Sequence, residues 1–443
     1  MVPSEHAGDP SEDTSNLPPA ESLTAEPLTV EQWQERVLAS VGRTGDETVP
    51  LADAQARTVA VDVRTRHPVP LFDNSSMDGY AVRHSDVRGA TPEHPVQLVV
   101  VADAPAGSGA DPVLPAGAAV RVMTGAPVPS QADAVVPVED TVEHHDAGRW
   151  VEPTDQVASV HVLAEPVPGR FIRRTGEDAE SGTTVLHAGR VLTPAALASI
   201  AAAGWDAVRV SRRPRVVVVS TGSELVAPGT PPSRGMIPDS NTALLTALVQ
   251  DAGGVVVDRA LVSDDPARLL GTLEALSPDQ VDAVVLSGGV SAGAFDVVKA
   301  ALTDHGSVTF ARLAMQPGKP QGFGRLASGI PAFCLPGNPV SSLVSFELFV
   351  RPALAAMLGR SVTRREVLEA TAGAGWSSPA GRRQYIPVSV EHDGGAPVVR
   401  PSAAGGSGSH LVASLAAAEA LAVVAEGVTE VRPGDRVGML PLA

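Results

Sequence analysis

A chain of 443 residues with 44% hydrophobic content exceeds one ordinary core and calls for roughly three or four domains, built on Val, Leu and Ala because aromatic content is only 3%. Its formal net charge of −17 excludes a general nucleic-acid binder, which needs a basic face. The single cysteine, Cys334, excludes an internal disulfide framework and suits a reducing, cytoplasmic compartment.

Residues 1–26 hold Glu5, Asp9, Glu12, Asp13, Glu21 and Glu26 with no Lys or Arg, and read as a disordered acidic tail. The start lacks the basic residues and apolar run of a signal peptide, and no stretch reads as long and apolar enough to span a membrane. Apolar spacing over 29–45 predicts a short amphipathic helix. From about 50 to 170, short Val-rich runs broken by Pro and Gly predict a small β domain. Residues 189–204 then predict a helix with Thr193 as N-cap and Pro194 in its first position.

From 214 the pattern becomes α/β. PRVVVVSTGSEL reads as a buried strand and polar turn, and DSNTALLTALVQDAGG as a helix capped near Asp239, Ser240 and Asn241 and ended by Gly253. VVVDRALVSDDPARLLGTLEAL gives a strand, a cap at Asp264 or Asp265 ahead of Pro266, and a helix. VDAVVLSGGVSAGAFD and IPAFCLPGNPVSSLVSFELFVRPAL each run from strand into a glycine turn. Such alternation implies a parallel sheet with right-handed crossovers. After about 361 short strands return, with a Gly-Ser loop at 405–409, which predicts a second β domain.

Ligands of an open parallel sheet bind beyond the carboxyl ends of its strands. Four successive ends carry STGSE (Ser220, Thr221, Gly222, Glu224), SDD, SGGVSAGAFD (Gly288, Gly289, Asp296) and LPGNPVSS (Pro336, Gly337, Pro339, Ser341). Glycine turns let backbone N–H groups approach an anion closely, so phosphate recognition follows. Glu224, Asp264 and Asp296 would meet at this edge, and carboxylates beside phosphate loops call for an intervening divalent cation, for which oxygen ligands suit Mg²⁺. Asp264, Asp265 and Asp296 serve equally well as helix caps; Glu224 has no such alternative. Upstream, FDNSSMDGYAVR (72–83) suits an Asx-turn loop, Thr124 ends a strand before a Pro turn, and FIRRTGED (171–178) suits a solvated loop. No histidine or cysteine spacing fits a metal site, no serine-nucleophile or P-loop motif occurs, and Cys334 sits in an apolar strand as a core residue.

In order along the chain, PLFDNSSMDGYAVR, RVMTGAPVP, RRTGED, STGSEL, DSN (239–241), SDDP, SGGVSAGAFD, PGKPQGFG and LPGNPVS resemble the MoeA/gephyrin family of molybdopterin molybdenumtransferases, from about residue 27 to the C-terminus. The resemblance implies a multidomain α/β plus β protein. A discontinuous linker and dimerisation domain (27–64 and 171–212) would carry an inserted β domain (65–170), followed by a mostly parallel α/β molybdopterin-binding domain (213–360) and a barrel-like C-terminal β domain (361–443). It further implies a homodimer whose active site is shared between subunits, Mg²⁺-dependent insertion of molybdenum from molybdate into adenylylated molybdopterin with release of AMP, and a molybdopterin adenylyltransferase as upstream partner. Neither nucleic acid nor membrane is expected.

Carried over by motif, Asp178, Glu224, Asp264 and Asp296 would form the acidic core of the site, and Asp73 and Thr124 would complete it from the partner subunit. Pro336 and Pro339 would shape the turn, Gly288 and Gly289 would approach the phosphates, and Lys319 would offer an ammonium. For molybdate, GRRQY (381–385) and GGSGSH (405–410) supply oxyanion donors, which points to Arg382 and Ser409 near the LPGNPVS turn; a surface arginine and an ordinary loop serine are the plainer alternative. Two features depart from the family pattern: Gln316 stands where lysine is frequent, and Glu419 and Ala420 stand where an Asn-Gly pair is common. The adenylyltransferase itself, which has a TGGTG-type loop and no β domains, is the nearest enzyme alternative. A non-catalytic, gephyrin-like scaffold is another, against which a buried acidic cluster would argue.

Overall fold

The structure is a computed structural model that describes residues 26–143, 159–290, 297–303, 307–392, 394–403 and 408–442. The chain forms two compact units, one of Thr48–Val210 and one of Met1–Glu47 with Ser211–Ala443. Helix α1 (Val30–Ala39) opens the second of these. Thr29 accepts from the Gln32 N–H while the Gln32 side chain accepts from the Thr29 N–H, a reciprocal cap, and the helix buries Val30, Trp33 and Val37. Although expected in the linker domain, α1 packs these side chains into the core of the α/β sheet.

The unit Thr48–Val210 holds a six-stranded sheet made of β1 (Gly79–Val82), β2 (Val96–Ala104), β3 (Ala118–Val122), β4 (Ala134–Pro137), β5 (Thr141–Glu143) and β6 (Ser159–Val162), in the order β4-β1-β3-β2-β6-β5. Alternation sends Tyr80 and Val82 to one core and Ala81 to another, so both faces are covered. Helix α2 (Pro194–Ala202) follows in the same unit. The Thr193 side chain caps it at the Ala196 N–H, and Ile200 packs on Val59, Leu192 and Val210.

In the other unit, β7 (Arg215–Thr221), α3 (Asn241–Asp251), β8 (Val255–Val262), α4 (Pro266–Glu274), β9 (Ala283–Ser287), α5 (Val297–Leu302), β10 (Thr309–Arg312), β11 (Pro320–Arg325), β12 (Pro331–Leu335), α6 (Pro339–Ser345) and α7 (Arg351–Met357) build an α/β domain. The sheet order is β8-β7-β9-β12-β11-β10, with the first four strands parallel and the last two antiparallel. The segment between Arg312 and Pro320 is too short for a crossover, which takes about a dozen residues, so the chain returns as a hairpin. Val216 and Val218 pack on one side of the sheet, Val217 and Val219 on the other.

The expectation that no stretch is long and apolar enough to cross a membrane needs correction. The helical run Pro339–Met357 has 19 residues, and its most apolar 18 have a mean hydropathy of 1.4, but 94% of those 18 are buried. Its apolarity is that of a core helix enclosed by α1, α3 and the sheet. Cys334 lies fully buried in β12, where burial pushes its thiol far above the usual range, as befits a core residue.

The last strands, β13 (Leu368–Ala372), β14 (Arg383–Glu391), β15 (Val398–Pro401), β16 (Ala420–Val424) and β17 (Arg436–Pro441), run in the order β14-β15-β13-β17-β16, and β16 pairs back onto β14. That closure leaves a small barrel around Ile386, Val388, Val399 and Met439. Met315 and Gln316 pair in parallel with Arg383 and Gln384, and Tyr385, Leu421 and Leu440 join the α/β core, so barrel and sheet share one interior.

Candidate active site

The chain passes from β7 to β8 on one side and later places β9 on the other, which leaves a topological switch point beyond the ends of β7 and β9. A cavity of ≈ 1260 Å³ opens there. Thr221, Gly222, Glu224, Asp264, Gly288, Gly289, Pro336, Gly337, Pro339 and Ser341 line it from the strand ends, Lys319 from the hairpin, and Arg382 and Ser409 from the barrel side. The carboxyl ends of all four parallel strands thus contribute to one space, as the sequence motifs predict.

The structure separates the two aspartates after β8. Asp265 is the N-cap of α4, accepting from the Ala267 and Arg268 N–H groups, with Pro266 in the first turn. Asp264 is left for the cavity wall, where its Oδ2 accepts from the Ser223 N–H at 2.9 Å while its own N–H donates to Ser223 Oγ at 3.0 Å. Glu224 follows in the same loop, and its carboxylate has no hydrogen-bond partner among the described residues. Both carboxylates are exposed, so the expected buried acidic cluster is corrected to one at an open mouth: they sit on loops past the strand ends, where solvent reaches them. Asp296 lies outside the described residues, and no group of three metal-ligating side chains occurs among the described ones.

Gly288 sits at φ +101°, and a Cβ there would meet the Thr221 carbonyl oxygen at 2.5 Å; the strand ends of β7 and β9 approach this closely only because the residue is glycine. Ser220 does not face the cavity. It is fully buried, with its hydroxyl 2.9 Å from Thr242 Oγ1 and 3.3 Å from Asp239 Oδ1. From the barrel side, Arg382 donates to Gln316 Oε1 at 3.3 Å, and Ser409 Oγ accepts from Asn338 Nδ2 at 2.9 Å. Arg382 and Ser409 are half-buried residues of the cavity wall, Ser409 in the loop between two barrel strands. Asp239, Asn241, Asn338 and His410 also line the cavity. Reading the DSN tripeptide as a helix cap left Asp239 and Asn241 out of the site.

The cavity's lining comes wholly from the second unit, whereas Asp73, Thr124 and Asp178 belong to the unit Thr48–Val210. Within that unit, Asp73 accepts from Arg174 Nη1 (2.6 Å), the Thr175 N–H (2.8 Å) and Thr175 Oγ1 (3.0 Å). Burial would raise its pKa, but these donors outweigh burial and hold it below the usual carboxylate value. The Thr124 N–H donates to Asp78 Oδ1 at 2.6 Å, and the Val128 N–H to the Asp73 carbonyl at 3.0 Å, so Asp73 and Thr124 share one loop cluster. Asp178 is exposed, with its N–H bonded to the Val69 carbonyl.

Three family models match the chain: the MoeA N-terminal region (domain I and II) over residues 28–204, a probable molybdopterin binding domain over 217–356, and the MoeA C-terminal region (domain IV) over 369–442. Molybdopterin molybdenumtransferase 2 of Mycobacterium tuberculosis (strain ATCC 25618 / H37Rv) is 45% identical over 414 residues, covering 92% of this chain and 98% of that protein. The molybdopterin molybdenumtransferase of Bacillus subtilis (strain 168) is 32% identical, covering 94% of each. Among solved structures, a molybdopterin biosynthesis moeA protein from Pyrococcus horikoshii OT3 superposes with a TM-score of 0.77 at 28% identity, covering 94% of this chain and 100% of that one.

Proposed function

The chain belongs to the MoeA family, and from that membership we propose that it is a molybdopterin molybdenumtransferase, inserting molybdenum from molybdate into adenylylated molybdopterin and releasing AMP. The observation that carries the reading is the cavity at the switch point. It brings glycine turns suited to phosphates together with two exposed carboxylates, Glu224 and Asp264, and two cationic side chains, Lys319 and Arg382.

Gly288, Gly289 and Gly337 let the main chain come close to the pyrophosphate, and Lys319 adds a compact positive charge. Arg382 and Ser409 offer guanidinium and hydroxyl donors to molybdate beside the turn after β12. Mg²⁺ fits the donor set: it needs only one or two carboxylates when phosphates supply the remaining oxygens, and Glu224 and Asp264 are exposed carboxylates on the cavity wall. Bound there, the cation would offset phosphate charge that those carboxylates would otherwise repel. The chain works as a homodimer in which Asp73 and Thr124 serve the neighbouring subunit's site, in the cytoplasm, and it takes its substrate from a molybdopterin adenylyltransferase.

The direct test is AMP release from adenylylated molybdopterin with and without molybdate. Molybdate-dependent release supports the reading, and a chain that binds the nucleotide without releasing AMP under either condition would be a binding scaffold instead.

A further inference from the structure

The turn at 336–339 has two of its carbonyls tied to buried side chains. Asn241 is only 8% exposed, and its Nδ2 donates to Ser287 Oγ at 2.7 Å and to the Gly337 carbonyl at 2.6 Å. Ser342, fully buried, donates to the Pro336 carbonyl at 2.5 Å, and its Oγ lies 3.3 Å from Ser287 Oγ. Each hydroxyl has a single hydrogen, which fixes the direction of the chain. Ser342 directs its hydrogen to Pro336, so Ser287 is the donor between the two serines, and the Ser287 oxygen in turn accepts from Asn241. The amide orientation is equally determined, because a flipped Asn241 would set two oxygens 2.6 Å apart. In the orientation that remains, Asn241 Oδ1 is buried without a partner, an arrangement that calls for a reason outside local stability.

Peptide geometry supplies one. Both peptides are trans, so each N–H points opposite to the carbonyl of the preceding residue. With the Pro336 and Gly337 carbonyls turned inward, the N–H groups of Gly337 and Asn338 turn outward, on exposed residues that line the cavity. Neither N–H has a partner among the described residues. We infer that Asn241, Ser287 and Ser342 are positioning residues: their one-way hydrogen-bond chain holds the Gly337 and Asn338 N–H groups toward a tetrahedral oxyanion in the cavity, a nucleotide phosphate or molybdate. The inference deepens, and rests on, the reading of the cavity as the molybdenum-insertion site.

Ser342→Ala frees the Pro336 carbonyl, and Asn241→Asp puts a carboxylate against the Gly337 carbonyl. Ser211→Ala is the control, since Ser211 is another fully buried serine whose hydroxyl bonds a carbonyl, that of Leu358, away from the cavity wall. AMP and molybdate are titrated separately by calorimetry into each full-length protein, alongside thermal melts. Ser342→Ala should melt much like Ser211→Ala yet bind one anion about tenfold more weakly, the loss expected for misaligned donors to a charged group. Loss for AMP alone assigns the turn to phosphate, and loss for molybdate alone assigns it to the metal oxyanion. Should Asn241→Asp not fold, Ser342→Ala decides by itself. Binding of both anions at wild-type strength by folded Ser342→Ala overturns the inference. If the wild-type chain binds AMP but never releases it from adenylylated molybdopterin, the catalytic reading fails while the same titrations still decide the role of the relay.

Discussion

The Asn338 side chain donates to the Ser409 hydroxyl at 2.9 Å, which joins the turn after β12 to the loop entering the last part of the barrel. A second link is main-chain, from the Val340 N–H to the Ser409 carbonyl at 3.2 Å. Together they place a hydroxyl beside the turn, with Arg382 on the wall of the same cavity.

Molybdate dependence should follow from that placement. A guanidinium bond to an oxyanion is worth about 1.5–3 kcal/mol, so Arg382→Ala should raise the molybdate concentration for half-maximal AMP release roughly tenfold to a hundredfold. Ser409→Ala, which removes a neutral donor, should cost only a few-fold. Pterin-nucleotide binding should change little in either. An unaltered molybdate requirement in Arg382→Ala would remove Arg382 from the oxyanion site.

The adjacent aspartates after β8 should separate stability from catalysis. Asp265→Ala removes the cap of α4 and should cost about 1 kcal/mol in chemical denaturation while leaving AMP release nearly intact. Asp264→Asn should leave the melt almost unchanged and abolish most Mg²⁺-dependent release, and chelation of the cation should do the same to the wild type. Full activity of Asp264→Asn at low Mg²⁺ would take Asp264 out of the cation's ligand set.

Much of this arrangement is legible in the sequence because it is local. Val-rich runs ending in glycine turns give the strand ends, and Thr193 with Pro194 gives the start of α2. The choice between Asp264 and Asp265 is not local, since either could cap α4; what decides it is the loop after β7, where Ser223 bonds Asp264. Asn241 reads as a helix-capping residue until β9 and β12 bring Ser287 and Gly337 against its amide. The hairpin of β10 and β11 was hidden for a related reason: an antiparallel return carries no helix to announce it. The run Pro339–Met357 shows the converse, because its composition suits a membrane and only its packing reveals a core helix.

Acid sensitivity should centre on Asp282, which receives Arg212 Nη1 at 2.8 Å, Arg212 Nη2 at 2.9 Å and Arg215 Nε at 3.1 Å. Burial opposes its ionisation, but these donors and the Arg215 N–H outweigh burial and hold the carboxyl well below the usual range. For a depressed carboxylate, the stabilisation is fully present above the unfolded pKa of about 3.9 and is lost as pH falls further. Asp282→Asn should therefore cost about 2 kcal/mol near neutral pH, and the gap from wild type should shrink below about pH 4. Urea denaturation across pH 3–7 gives the comparison, and a constant gap over that range would contradict the assignment.

Subunit sharing is tested by mixing inactive chains. The Asp73 carboxylate is held by Arg174 and two donors of Thr175, a fixed anion rather than a mobile surface group. Asp73→Ala and Glu224→Gln should each be inactive as homodimers. In a two-fold dimer with shared sites, a heterodimer of the two has one site with both substitutions and one with neither. Heterodimers are half of a random mixture, so recovery should approach about one quarter of wild-type AMP release. Distinct affinity tags on the two chains allow the heterodimer to be isolated, where recovery should rise to about one half. Isolated heterodimers with no activity would confine each site to a single subunit and leave Asp73 with a structural role in its own loop cluster.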